Sequence, residues 1–295
     1  MRSTGLSTNV AKTTLRLIFD YGLEALGNRR KELFFIAFIF IFLPQLVFTL
    51  AWAEVARVGV ESLQQLPTKP PIAIIEGIID LISEYVLSAG AGAFLLGFIG
   101  VLAMARTSVD YFESRPSGFG SVLARAGRVF LTKGLGTFLF LAMILPVLAI
   151  LPLLRAIAVS MLLMLPITLV VSHKGGFRTA WDTLFLKYGA VSRFGRWPIF
   201  FNVLTFSGIF LTLLFASIML IDFLKVMDTW LVIPAGLLES ELKLLDYKIG
   251  SGEFIAQILS MIWNTIWFAI AMPFAAATYH LSTMPEDHVT FEATA

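Results

Sequence analysis

Catalysis needs nucleophiles, bases or metal ligands at fixed spacings, and this chain holds few of them. Cysteine is absent, which excludes disulfide scaffolds, paired-cysteine metal sites and thiol nucleophiles. The three histidines, His173, His280 and His288, are spaced unlike a metal cluster. There is no HExxH, no GxSxG and no GxxxxGK followed by Ser or Thr, so the common routes to a zinc hydrolase, a serine hydrolase or a nucleotide-driven pump are missing. The expectation is a protein that is not an enzyme, with no metal and no cofactor. Glu76, Asp80 and Glu84 recur every four residues on the apolar segment Ile72 to Tyr85. They could hold a cation, but an interfacial helix showing an acidic face to water explains them with fewer assumptions.

Two other sets of side chains could do non-covalent work. Gln45, Asn202, Gln257 and Asn264 sit in apolar runs, and Asn264 shares a helical face with Gln257 seven residues earlier. Such amides line a polar path or bond one helix to another. No acid, lysine or arginine falls in the middle of an apolar run, where an ion-coupled transporter usually needs one. The second set is basic: Arg29, Arg30 and Lys31, then Arg125 and Arg128, then Lys174, Arg178, Lys187, Arg193 and Arg196. Near an anionic membrane each is worth about 1 kcal/mol as a headgroup contact. Equally, they could act only as topology signals.

The elements that must position these residues are membrane helices. Hydrophobic residues are 58% and charged residues 14% of the 295, and mean hydropathy is +0.85, against about 45–50% and about 25% in ordinary soluble domains. A net charge of +2 gives no sign of nucleic-acid binding. Leu33 to Ala53 carries no charge and as a helix crosses roughly 30 Å, one bilayer core. Ala51-Trp52-Ala53 fits a signal-cleavage pattern, but the run exceeds the roughly 7–15 residues of a signal core, so it reads as a retained span. Further spans are expected at 87–105, 131–151, 153–171, 198–221 and 254–279. Ala89, Ala93 and Gly97 in the second make a small-residue face for close helix packing, and Pro146 and Pro166 should kink the third and fourth or leave backbone carbonyls free. The fold class is all-α, a polytopic membrane protein of six transmembrane helices. Residues 1–32 form a basic leader, 33–280 the membrane domain and 281–295 a short tail.

Basic connections alternate with mixed ones, which places both termini in the cytoplasm. Three segments repeat one pattern, beginning TTLRLIFDYGLEALGNRRK, FGSVLARAGRVFLTKG and GFRTAWDTLFLKYGAVSRFGR. Each reads as a cytoplasmic amphipathic helix leading into a span that pairs with the next, giving three hairpins. In the leader, Leu15, Ile18, Phe19, Gly22 and Leu26 form the apolar face, opposite Arg16, Asp20 and Glu24. In the third copy Phe177, Trp181, Leu184, Phe185 and Tyr188 form an aromatic face suited to the headgroup boundary.

This order, with HKGGFRTAWDTLFLKY after the fourth span, resembles the six-span family that includes the membrane domain of glycerophosphodiester phosphodiesterases and the YciC-like bacterial inner-membrane proteins. The resemblance covers residues 10–280 and implies residence in a bacterial inner membrane. It implies no catalytic residues, and the soluble barrel of some members has no counterpart here. The functional expectation is a non-enzymatic protein whose basic helices engage lipid headgroups, in lipid handling or membrane organisation. A permease or export subunit, with a path past Asn264 and Gln257, is one alternative. A structural subunit of a membrane complex is the other. Expected partners are membrane lipids, with a membrane-protein partner or homo-oligomer as a further possibility, and no nucleic acid.

Overall fold

The computed structural model describes residues 4–51, 79, 87–116, 118–150, 161–185, 187, 207–208, 219, 242–244, 247–249 and 251–283. No helix breaker separates the basic leader from the first apolar run, and the described residues of the two are continuous helix. Helix α1 spans Thr4–Ala37, passes through a π-helical turn at Phe38–Phe42 and continues as α-helix over 43–51. Pro44 explains the turn: it has no N–H for the carbonyl of Phe40, and its ring would crowd that carbonyl in a regular helix. Widening the turn, with the Leu43 N–H bonded to the Phe38 carbonyl, lets the helix pass the proline.

The next elements are α2 at Leu87–Phe112, α3 at Phe119–Ile150, α4 at Leu165–Val171 and α5 at Gly176–Leu184. A short antiparallel ribbon follows, β1 at Leu242–Leu244 and β2 at Tyr247–Ile249, with Leu242 opposite Ile249. The last helix, α6, spans Ser251–Thr283. Among the described residues four helical stretches are long and apolar enough to cross a membrane: 16–51, 89–112, 119–144 and 258–281. By length and composition this is a helical membrane protein. These stretches overlap the first, second, third and sixth expected spans. The fourth is described only from residue 161, and the fifth lies outside the described residues apart from 207, 208 and 219. The acidic positions Glu76, Asp80 and Glu84 and the amide Asn202 also lie outside them.

The chain divides into two compact units. One comprises residues 1–36, 101–213 and 268–295. In it Ile18, Gly22, Ala25, Leu33 and Ile36 form the buried stripe of α1 at helical spacing. Arg16, Asp20 and Glu24 are exposed, with Arg16 and Asp20 3.6 Å apart. A Cβ at Gly22 would stand 2.5 Å from the Phe274 ring of α6, and Phe19 meets the same ring edge-on at 5.5 Å. The α6 face here is built of buried Ala269, Ala271, Ala275, Ala276 and Ala277, which let neighbouring backbones come close.

The second unit comprises residues 37–100 and 214–267. Here the continuation of α1 lies against the glycine-rich half of α2. A Cβ at Gly90 would come 3.0 Å from Phe48, and one at Gly100 only 2.4 Å from the Phe40 Cβ. At Gly97 it would lie 3.8 Å from the Phe40 carbonyl oxygen, the one Pro44 cannot serve. Of the expected small-residue face, Gly97 lies against α1, and the closest approaches are those of Gly90 and Gly100, which were not part of it.

Candidate functional site

Among the described residues, cations, hydroxyls and a carboxylate gather where α5 rests on α3 and α4. Pro166 sits in the first turn of α4, where its missing N–H costs nothing. The Lys133 ammonium of α3 donates to the Leu169 carbonyl at 2.6 Å and to the Ser172 carbonyl, serving carbonyls left open at the end of α4. Two glycines then let α5 lie on α3. A Cβ at Gly176 would stand 1.9 Å from the Lys133 carbonyl oxygen, and one at Gly136 would be 2.9 Å from the Phe177 nitrogen.

This seating fixes which side of α5 faces outward. Thr179, Ala180 and Thr183 are buried, and the buried Phe140 ring of α3 meets Phe177 at 5.5 Å and Trp181 at 6.4 Å, both edge-on. Phe177, Trp181 and Phe185, spaced by four, nevertheless stay 40%, 44% and 47% exposed. Lys187 lies 5.7 Å over the Phe185 ring.

Beside this aromatic edge is an open groove of about 430 Å³ lined by Lys174, Phe177, Arg178, Trp181, Asp182 and Lys187. Three cations there face one carboxylate, and Asp182 is held by the Lys174 ammonium at 2.5 Å. A small inner pocket of about 40 Å³ shares Lys174, Asp182 and Lys187 with the groove and adds Thr168, Ser172, Thr179, Thr183 and Tyr279. The hydroxyls form a bonded chain. Thr168 and Thr183 are 2.6 Å apart, Thr183 donates to the Thr179 carbonyl at 2.7 Å, and the Thr179 hydroxyl donates to Ser172 at 3.1 Å.

A second polar cluster joins α2 to α3. The fully buried Asp110 carboxylate lies 2.7 Å from an Arg106 guanidinium nitrogen and 2.9 Å from one of Arg125. Arg106 also reaches Glu113 at 3.3 Å, and Glu113 in turn meets Arg115 at 3.3 Å. Among the described residues neither the Arg106 Nε nor the Asp110 Oδ2 has a well-aligned hydrogen bond, although Oδ2 is the oxygen facing Arg125. Nearby, the Tyr111 hydroxyl donates to Glu24 at 2.6 Å and accepts from Asn28 at 3.2 Å, tying α2 to α1.

Of the basic residues singled out by sequence, Lys174, Arg178 and Lys187 come together on the groove. Arg125 is half-buried against Asp110. Arg29 lies 3.5 Å from Glu32 and donates to the Arg115 carbonyl at 3.4 Å. Arg30, Lys31 and Arg128 are exposed on their helices. Arg193 and Arg196 lie outside the described residues. Asn264 is half-buried on α6, while the side chain of Gln257 lies outside the described residues.

Sequence reasoning missed Asp110, Lys133 and the threonine chain. For Asp110 and the threonines a signal was present: Asp110 stands four residues after Arg106, as Thr183 does after Thr179, in runs that no proline interrupts. Comparison with protein-family models, with curated proteins and with solved structures gave no match.

Proposed function

We propose that this chain is a non-enzymatic multi-pass protein of a cell membrane, a bacterial inner membrane by its resemblance, which engages anionic lipid headgroups in lipid handling or membrane organisation. The observation that carries this reading is the edge of α5, where Phe177, Trp181 and Phe185 stay exposed in line beside Lys174, Arg178 and Lys187. Exposed aromatics next to cations suit the boundary where acyl chains give way to phosphates. On this reading α5 is an amphipathic helix lying in that boundary, both termini are cytoplasmic, and Arg30, Lys31 and Arg128 add to the attraction from their own helices.

The test is lipid enrichment around the full chain in nanodiscs of mixed anionic and zwitterionic composition, read by native mass spectrometry. At about 1 kcal/mol per cation, Arg178→Gln with Lys187→Gln should lower anionic enrichment by about tenfold or more. Topology reporters at both termini should be unmoved. Unchanged enrichment would remove α5 from the function and leave its cations as topology signals.

A further inference from the structure

The groove on α5 and the end of α6 belong to one corner of the fold. Tyr279 of α6 lines the inner pocket together with Lys174, Asp182 and Lys187, which also line the groove. Helix α6 runs one turn past Tyr279, to Thr283, about 6 Å further along its axis. The sequence that follows, residues 284–295, lies outside the described residues and reads MPEDHVTFEATA. It carries Glu286, Asp287 and Glu292 and no lysine or arginine. We propose that this acidic segment docks on the groove of α5 and competes there with anionic headgroups, so that the chain carries its own brake on lipid binding. The inference rests on the headgroup reading above and adds its regulation.

Charge, reach and apolar content all favour this occupant. In the groove Asp182 is held by Lys174, and among the described residues neither Arg178 nor Lys187 has a carboxylate partner. Both are exposed. Glu286 and Asp287 stand three and four residues past Thr283, within roughly 10–14 Å of extended chain, and Glu292 within roughly 30 Å. Val289 and Phe291 stand between the acids, just as Phe177, Trp181 and Phe185 stand exposed beside the cations. Each ion pair at such an exposed site is weak. A tethered segment nevertheless acts at an effective concentration near the millimolar range, so several weak contacts together hold it in place. Anionic headgroups displace it as they become dense at the surface, which makes the groove respond to the anionic content of the membrane.

Two measurements on the full chain test this. In nanodiscs of phosphatidylcholine and phosphatidylglycerol, Glu286→Gln, Asp287→Asn and Glu292→Gln together keep the length of the segment and should raise phosphatidylglycerol enrichment by about fivefold. On the Arg178→Gln, Lys187→Gln background the same triple change should do nothing. In nanodiscs of phosphatidylcholine alone, a benzophenone cross-linker in place of Phe291 should attach to the stretch 174–187, and added phosphatidylglycerol should suppress the adduct. This second readout needs no lipid preference. Adducts confined to other parts of the chain overturn the docking and leave the headgroup reading standing. Enrichment that the triple change leaves unaltered overturns the competition alone. Adducts on 174–187 with no phosphatidylglycerol enrichment in either form overturn the competition through failure of the headgroup reading itself.

Discussion

Asp110 has no exposed surface and lies between two guanidiniums, Arg106 and Arg125, which offset the cost of its burial. Removing the carboxylate leaves two guanidiniums facing each other across the space it filled, with only Glu113 still paired to Arg106. Asp110→Ala should therefore lower stability by about 3–5 kcal/mol, measured by reversible unfolding in detergent. Replacing Asp110, Arg106 and Arg125 together by apolar residues of similar size should recover most of the loss, because the desolvation penalty goes with the charges. The glycines divide in the same way, by what surrounds them. At Gly176 an added Cβ would meet a backbone carbonyl at 1.9 Å, so Gly176→Ala must push α5 off α3. It should cost about 1–3 kcal/mol or more and weaken lipid enrichment at the groove. At Gly127, inside α3, an added Cβ meets nothing within 4 Å, and Gly127→Ala should raise stability by about 0.5–1 kcal/mol.

Between residue and molecule stand the helix ends. α2 stops because Ser114 turns to a φ of 52°, which lets the Arg115 N–H bond the Asp110 carbonyl at 2.8 Å, and Pro116 then bars continuation. A non-glycine residue in that region carries a penalty of roughly 1–2 kcal/mol, so Ser114→Gly should be neutral to stabilising once its greater freedom in the unfolded chain is counted. Thermal unfolding of the purified protein checks this, and a clear loss would mean the Ser114 side chain contributes more than its backbone strain costs. Helix ends were also the hardest feature to read from sequence. Pro116 stands just past the end of α2, and Gly97 lies in real helix packing. The basic leader, read as an amphipathic helix leading into the first span, is continuous with it, because a change from basic to apolar composition alters what surrounds a helix without stopping it. The same holds in α3, where the stretch expected on the surface and the stretch expected in the membrane are one helix from Phe119 to Ile150. Pattern found the cations and aromatics of α5. It could not find Lys133 against the end of α4, or Asp110 against Arg125, because those contacts pair residues 36 and 15 positions apart.

At the scale of the whole molecule the deciding feature is how much apolar surface the fold leaves uncovered. On α3 the side chains of Leu131, Leu135, Leu139 and Met143, each four residues after the last, are 81%, 75%, 55% and 66% exposed. Only 17% of its most apolar stretch is buried, against 50% for α6. In water such a ridge would drive association, whereas in lipid it is the ordinary outer face of a span. On the other side α3 presents Gly136, Thr137 and Phe140 to α5, so one helix carries both the lipid-facing ridge and the seat of the candidate site. An arginine near the middle of that ridge should therefore carry the insertion penalty of a charge in hydrocarbon, about 2.5–3.5 kcal/mol. A membrane-insertion reporter fused after α3 reads this directly. Leu135→Arg should sharply lower the inserted fraction, and Ser121→Arg, exposed at the start of the same helix, should barely change it. Full insertion of both variants would mean that the ridge faces a partner protein or water in the membrane. The helix that supports α5 would then lie inside an assembly, and the groove would have to be sought at an interface between proteins.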